Sequence, residues 1–108
     1  PALAGPDGHE ATVLEQYRAM SRALAPTGLR VAGVTLDDRR AWRLRTGSGI
    51  SLDLGRADTR RRLQRFVQAW PTVFVGRVDD LQRVDLRYSN GFSVRWQQAN
   101  AKTNNSKG

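Results

Sequence analysis

The stretch Val84-Asp85-Leu86-Arg87-Tyr88-Ser89-Asn90-Gly91-Phe92-Ser93-Val94-Arg95-Trp96 constrains the fold more than any other part of this chain. Val84, Leu86 and Tyr88 alternate with Asp85 and Arg87, and Phe92, Val94 and Trp96 alternate with Ser93 and Arg95. That period of two predicts two half-buried strands. Asn90-Gly91 between them predicts a tight hairpin turn, because both residues tolerate positive φ. Beyond Gln97 the chain is Gln, Asn, Lys, Ser and Gly with little to bury, so residues 98–108 are expected to be a disordered polar tail. The folded part, residues 1–97, then finishes on a strand at a sheet edge. Such an edge exposes unpaired N–H and C=O groups that a second chain can complete. This is a binding device and not a reaction centre.

Upstream, Pro1 to Gly8 reads as a Pro/Gly-rich lead-in. From about His9 to Ala25, Val13, Leu14, Tyr17, Met20 (or Ala23) and Leu24 recur at helical spacing, and Pro26 and Gly28 stop the helix. Leu29 to Leu36 reads as a strand, Asp37-Asp38-Arg39 as a turn. Trp42 and Leu44, then Ile50, Leu52 and Leu54, form a hairpin about Gly47-Ser48-Gly49. A second helix begins near Asp58 or Thr59 as N-cap and carries the stripe Leu63, Phe66, Val67, Trp70. Arg60, Arg61, Arg62 and Arg65 line its wet side, and Pro71 ends it. Thr72 to Gln82 reads as a connector, and no internal repeat is visible. Nothing in this order demands a parallel sheet. The expected class is α+β, a mostly antiparallel sheet with two helices packed on one face and the C-terminal hairpin at a sheet edge.

A chain of 108 residues supports one modest core, and 39% hydrophobic residues with three Trp suit a globular domain. The net charge of +8 comes from sixteen Arg and two Lys, both Lys (Lys102 and Lys107) in the tail. Such an excess is either a solvated Arg-rich surface or a surface for an acidic protein, anionic lipid or nucleic acid. The absence of Cys excludes disulfides and thiolate metal sites and is compatible with an oxidising compartment. No run approaches the ~18 apolar residues of a membrane span. Because the chain opens on Pro1 without Met, it is read as a fragment of a longer protein.

Catalytic chemistry is not legible. The single His9 lies in the lead-in, and Asp37-Asp38 and Asp79-Asp80 sit in turn-like stretches where Asp is favoured anyway. Gly47-Ser48-Gly49 has neither a following helix nor a Lys, so it is not a phosphate cradle. No catalytic, metal or cofactor-binding residue is assigned. On the second helix Phe66 and Trp70 fall on the apolar stripe, away from the arginines, so the Arg60–Arg65 face lacks a stacking platform. It remains the rival reading, a nucleic-acid-binding module. Trp42 and Trp70 fit a core, whereas Trp96 suits a core plug and an interface anchor equally.

Arg39-Arg40-Ala41-Trp42-Arg43-Leu44, Leu54-Gly55-Arg56, Arg62-Leu63-Gln64-Arg65-Phe66-Val67 and the closing Val84–Trp96 stretch resemble, in order and spacing, the membrane-distal part of the FtsQ/DivIB bacterial cell-division family, in a proteobacterial version. The resemblance spans about residues 1 to 97. It implies a non-enzymatic periplasmic β domain of a single-pass inner-membrane protein at the division septum, anchored by a transmembrane helix and a POTRA domain that lie outside this fragment. It also implies binding to FtsB, with FtsL, by addition of a strand to the last strand of the domain, and a part in controlling septal peptidoglycan synthesis. No nucleic acid is expected as partner. By motif the partner-binding positions are Arg40, Arg87, Tyr88, Ser89, Asn90, Gly91 and Trp96, with Phe92 and Val94 on the same edge strand. Phe92, Ser93 and Arg95 stand where some relatives carry small residues, and the connector from Thr72 to Arg83 is shorter than in some of them.

Overall fold

The computed structural model describes residues 1–97, so the expectation of a disordered 98–108 tail lies outside the described residues. The elements run β1 (Ala2–Ala4), α1 (Glu10–Leu24), β2 (Val31–Leu36), β3 (Trp42–Thr46), β4 (Ser51–Gly55), α2 (Thr59–Ala69), β5 (Leu81–Asp85) and β6 (Ser93–Trp96). The α+β class holds. All six strands form one sheet in chain order, from β1 at one edge to β6 at the other.

The lead-in is not a loop. Ala2–Ala4 pairs parallel with β2, and β4 pairs parallel with β5, while the other three pairings are antiparallel. Strand–helix–strand units, absent from the sequence reading, are therefore present twice. β1-α1-β2-β3 and β4-α2-β5-β6 share one topology: a parallel crossover through a helix, then an antiparallel return. A three-residue strand, Ala2-Leu3-Ala4, is too short to show alternation, which is why composition hid it. Since β1 and β4 run the same way and both crossovers step to the adjacent strand in the same direction, the preferred right-handed connection puts both helices on one face.

Register lines up one apolar residue from every strand beneath those helices: Leu3, Val34, Leu44, Leu52, Val84 and Val94. The middle of this row is fully buried and joined by Ile50, Leu54 and Leu86. α1 contributes Val13, Met20 and Leu24, with Tyr17 partly buried, but Leu14, expected on the stripe, is 39% exposed. The contact surface of α1 is narrower than its apolar residues suggest. Glu10 in the first turn and Arg22 in the last suit the helix dipole. Gly28, at φ 79, closes the following 3₁₀ turn in the left-handed region.

α2 starts at Asp58, which occupies the N-cap at φ 55 without a side-chain cap bond. Leu63 and Phe66 are buried, and Val67 packs partly against the core. Pro71 does not end the helical path. The chain widens into a π-turn, Trp70–Phe74, in which Pro71 stands at the start, where its missing N–H costs nothing. This corrects the connector reading: Phe74 becomes one of the largest fully buried side chains, its ring 5.1 Å from Phe66 and 6.2 Å from Trp70. Leu81 and Gln82, also assigned to the connector, are the first residues of β5.

Candidate functional site

β6 pairs antiparallel with β5 on one side, through Val84↔Val94 and Asp85↔Ser93, and no described strand lies on its other side. In the first half of the sheet, β3 uses the corresponding side to receive β4 antiparallel. β6 therefore ends the described fold on the side where its topological counterpart accepts another strand.

The turn before β6 differs from expectation. Leu86 to Phe92 form a seven-residue loop in place of a two-residue Asn90-Gly91 turn, and Leu86 and Tyr88 are not strand residues. Only Gly91 has positive φ (98), with Asn90 in an ordinary conformation. The reason is on α2. The Arg65 guanidinium donates to three loop carbonyls, from Nη1 to Tyr88 O at 2.9 Å and Gly91 O at 3.0 Å, and from Nη2 to Ser89 O at 3.1 Å. The Arg65 donors, reaching in from α2, replace the cross-strand bonds that a tight turn would need. Tyr88 is 51% exposed, and Ser89 and Asn90 are exposed.

On the helix side of this edge, Phe92 and Trp96 continue the aromatic cluster, their rings 5.5 and 6.4 Å from Phe74. Trp96 is half-buried, and the Arg77 guanidinium lies 3.8 Å over its ring, so one surface meets the core and the other a cation. Of the two roles foreseen for Trp96, the packing shows the core plug in part.

The opposite face of the sheet is polar. Asp53 on β4, 5% exposed, accepts from Arg43 Nε on β3 at 2.7 Å and from Arg83 Nε on β5 at 2.8 Å. Both arginines are largely solvated, so this bracing contributes less than a buried pair would. It relieves the direct juxtaposition of Arg83 and Arg95 across β5 and β6. Among the described residues, Arg45 and Arg95 have no acidic partner. Arg87 grips Asp85 with two bonds, Nε to Oδ1 at 2.8 Å and Nη2 to Oδ2 at 2.7 Å.

The hydrogen bonds from Arg87 hold the Asp85 carboxyl below its ordinary value of 3.8, and Arg87 is correspondingly raised. A depressed carboxyl stabilises the folded state fully above its ordinary value and loses that contribution as pH falls through its folded value. The Asp85–Arg87 fork therefore persists at the ordinary carboxyl midpoint and opens only in stronger acid. An NMR titration of the Asp85 carboxyl carbon should show this midpoint below 3.8, moving upward in Arg87→Ala.

Arg40 lies in the β2–β3 turn at φ 67, in the left-handed region. Its Nη1 is 2.6 Å from His9 Nε2, so it points toward the start of α1. Arg87 does share a shallow groove with Asp37, Ala41, Trp42 and Gly55 from that end of the sheet. The arginine face of α2 is reduced, since Arg62 donates to Leu54 O at 2.7 Å and Arg65 to the loop. Only Arg60 and Arg61 remain exposed, which removes most of the support for a nucleic-acid face. Among the described residues there is no cluster of three metal-ligating side chains, and no helix is long and apolar enough to cross a membrane.

The model of the C-terminal region of cell division protein FtsQ/DivIB matches residues 1–87. The chain belongs to the FtsQ/DivIB family. It is 38% identical to the FtsQ of Shewanella oneidensis, over 94% of this chain and 38% of that protein. The FtsQ of Escherichia coli is 39% identical over 89% of this chain and 36% of its own length. For that of Xanthomonas campestris the figures are 37%, 95% and 37%. The chain thus spans under two-fifths of these relatives. Within the FtsQ/DivIB match lie Arg40 and Arg87, while Tyr88 to Trp96 follow it.

In this FtsQ-family domain the Leu54-Gly55-Arg56 motif has a steric basis. Gly55 sits at φ 73, and a Cβ there would lie 2.5 Å from Arg62 Nη1 and 3.1 Å from Arg87 Cγ. Sequence reasoning missed Asp53, Arg65 and Arg77. A solitary Asp in a strand facing several arginines was the available signal for Asp53, whereas Arg65 and Arg77 carried none.

Proposed function

We propose that this domain is a non-enzymatic docking module of the division machinery that binds FtsB, together with FtsL, by accepting an added strand along β6, and so takes part in controlling septal peptidoglycan synthesis. Its place would be the periplasmic side of the inner membrane at the septum, on a protein anchored by a helix outside this chain. The observation that carries this reading is that, among the described residues, no strand pairs with the outer side of β6 at the end of the six-stranded sheet. Main-chain bonds along such an edge supply affinity, and side chains at alternate positions supply selectivity.

The register favours a particular partner strand. An apolar residue beside Val94 would extend the row that crosses all six strands. Acidic residues on the other face would meet Arg87 and Arg95, the latter with no acidic partner among the described residues. Tyr88, Ser89, Asn90 and Gly91 flank this edge from the loop, with Phe92 and Trp96 on its helix side. Arg40, turned toward His9, would contact the partner only after swinging away.

Calorimetric titration with a soluble FtsB fragment tests the reading. Arg87→Glu should weaken the complex by about tenfold or more, ~1.4 kcal/mol. Lys102→Glu, outside the described residues, should change it less than about twofold. No binding by the parent chain rejects the reading, and equal effects of the two variants replace the specific contact with a diffuse field.

A further inference from the structure

We infer that Arg65 is a positioning residue that holds the Leu86–Phe92 loop in its binding shape, so that α2 sets the conformation of the partner-binding edge; this rests on the reading of β6 as the FtsB-binding strand. Within the loop, Tyr88, Ser89, Asn90 and Gly91 make no backbone–backbone hydrogen bond among the described residues. Three of their four carbonyls converge instead on one guanidinium, at 2.9, 3.0 and 3.1 Å. Gly91, at φ 98, supplies the backbone reversal that brings the carbonyls of Tyr88 and Gly91 to the same nitrogen.

Drawing the carbonyls inward leaves the side chains of Tyr88, Ser89 and Asn90 in solvent, where a partner can meet them. The anchor itself is rigid. Arg65 adjoins Phe66, fully buried and stacked near Trp70 and Phe74, so its backbone cannot drift. A planar fork suits several carbonyls spread over a loop, whereas an ammonium is a compact point donor. Without the fork the tip is held only through its flanks: Leu86 N on Asp53 O at 2.9 Å, Arg87 on Asp85 through backbone and side chain, and the Phe92 ring on Phe74. A loop that spends a small fraction of its time in the competent shape binds more weakly by that fraction.

The test uses the full chain with Arg65→Gln, Arg65→Lys and, as a charge control on the same helix, the exposed Arg61→Gln. Amide order parameters of residues 88–91 should be about 0.85 in the parent and below about 0.6 in both Arg65 variants. Affinity for the FtsB fragment should fall about ten- to a hundredfold in Arg65→Gln and less than about twofold in Arg61→Gln. In a double-mutant cycle, Arg65→Gln should cost less when Tyr88→Ala is already present, because the clamp acts through the loop it holds. An unchanged loop in the Arg65 variants, or equal affinity losses for Arg65→Gln and Arg61→Gln, overturns the inference. If Arg65→Gln does not fold, Arg65→Lys decides. If the parent fails to bind FtsB, the docking reading falls and takes the affinity role with it, while the relaxation data still decide whether Arg65 holds the loop.

Discussion

Phe74→Ala is expected to destabilise the domain by about 3–5 kcal/mol, the range for emptying a fully buried aromatic site. Phe74 touches both ends of the second half of the fold: Phe66 and Trp70 behind it, Phe92 and Trp96 in front. Removing its ring separates α2 from β6, and the π-turn leaves its backbone little freedom to collapse into the gap. Against a typical total of about 5–15 kcal/mol, this is a large share. Urea unfolding followed by tryptophan fluorescence measures it. A loss under about 1 kcal/mol would mean that the aromatic cluster is not a single packed unit. Phe92→Ala, at a half-buried position, should cost clearly less.

Trp96→Ala carries the largest expected effect on binding. On the reading of β6 as a docking edge, the FtsB complex should weaken by about 2–4 kcal/mol, the range of an aromatic hot spot. Trp96 also packs on Phe74 and under Arg77, so part of any loss could arise from a loosened edge. Arg77→Gln separates the two causes. It removes the cation over the ring while leaving the indole available, and should reduce affinity only slightly if direct contact dominates. A Trp96→Ala domain that unfolds cooperatively and binds with unchanged affinity would place the partner elsewhere.

The elements with internal periodicity were legible without coordinates. α1 and α2, the β3–β4 hairpin, the apolar alternation into β6 and its place at the sheet edge all follow from residue spacing, because a face that must be buried leaves its period in the chain. The motif residues that resemble the FtsQ/DivIB family were legible too, and the family match agrees with those up to Arg87, where it ends. Other features depended on partners distant in sequence. β1 exists because β2 offers it an edge, not because Ala2-Leu3-Ala4 prefers a strand. Phe74 is core because a π-turn carries it under β6, and no local rule distinguishes it from a residue in a surface connector. Asn90-Gly91 has the chemistry of a tight turn, yet Arg65, twenty-four residues before Ser89, binds the loop carbonyls and holds a wider one open. Local preference for such a turn is weak, and three charge-assisted hydrogen bonds from a fixed helix exceed it. Spacing thus determined most of the residues that turn inward, though not Phe74, and that a strand ends the described sheet. Only the packed structure decided how the loop before that strand is shaped, because the groups that shape it meet only after the chain has folded.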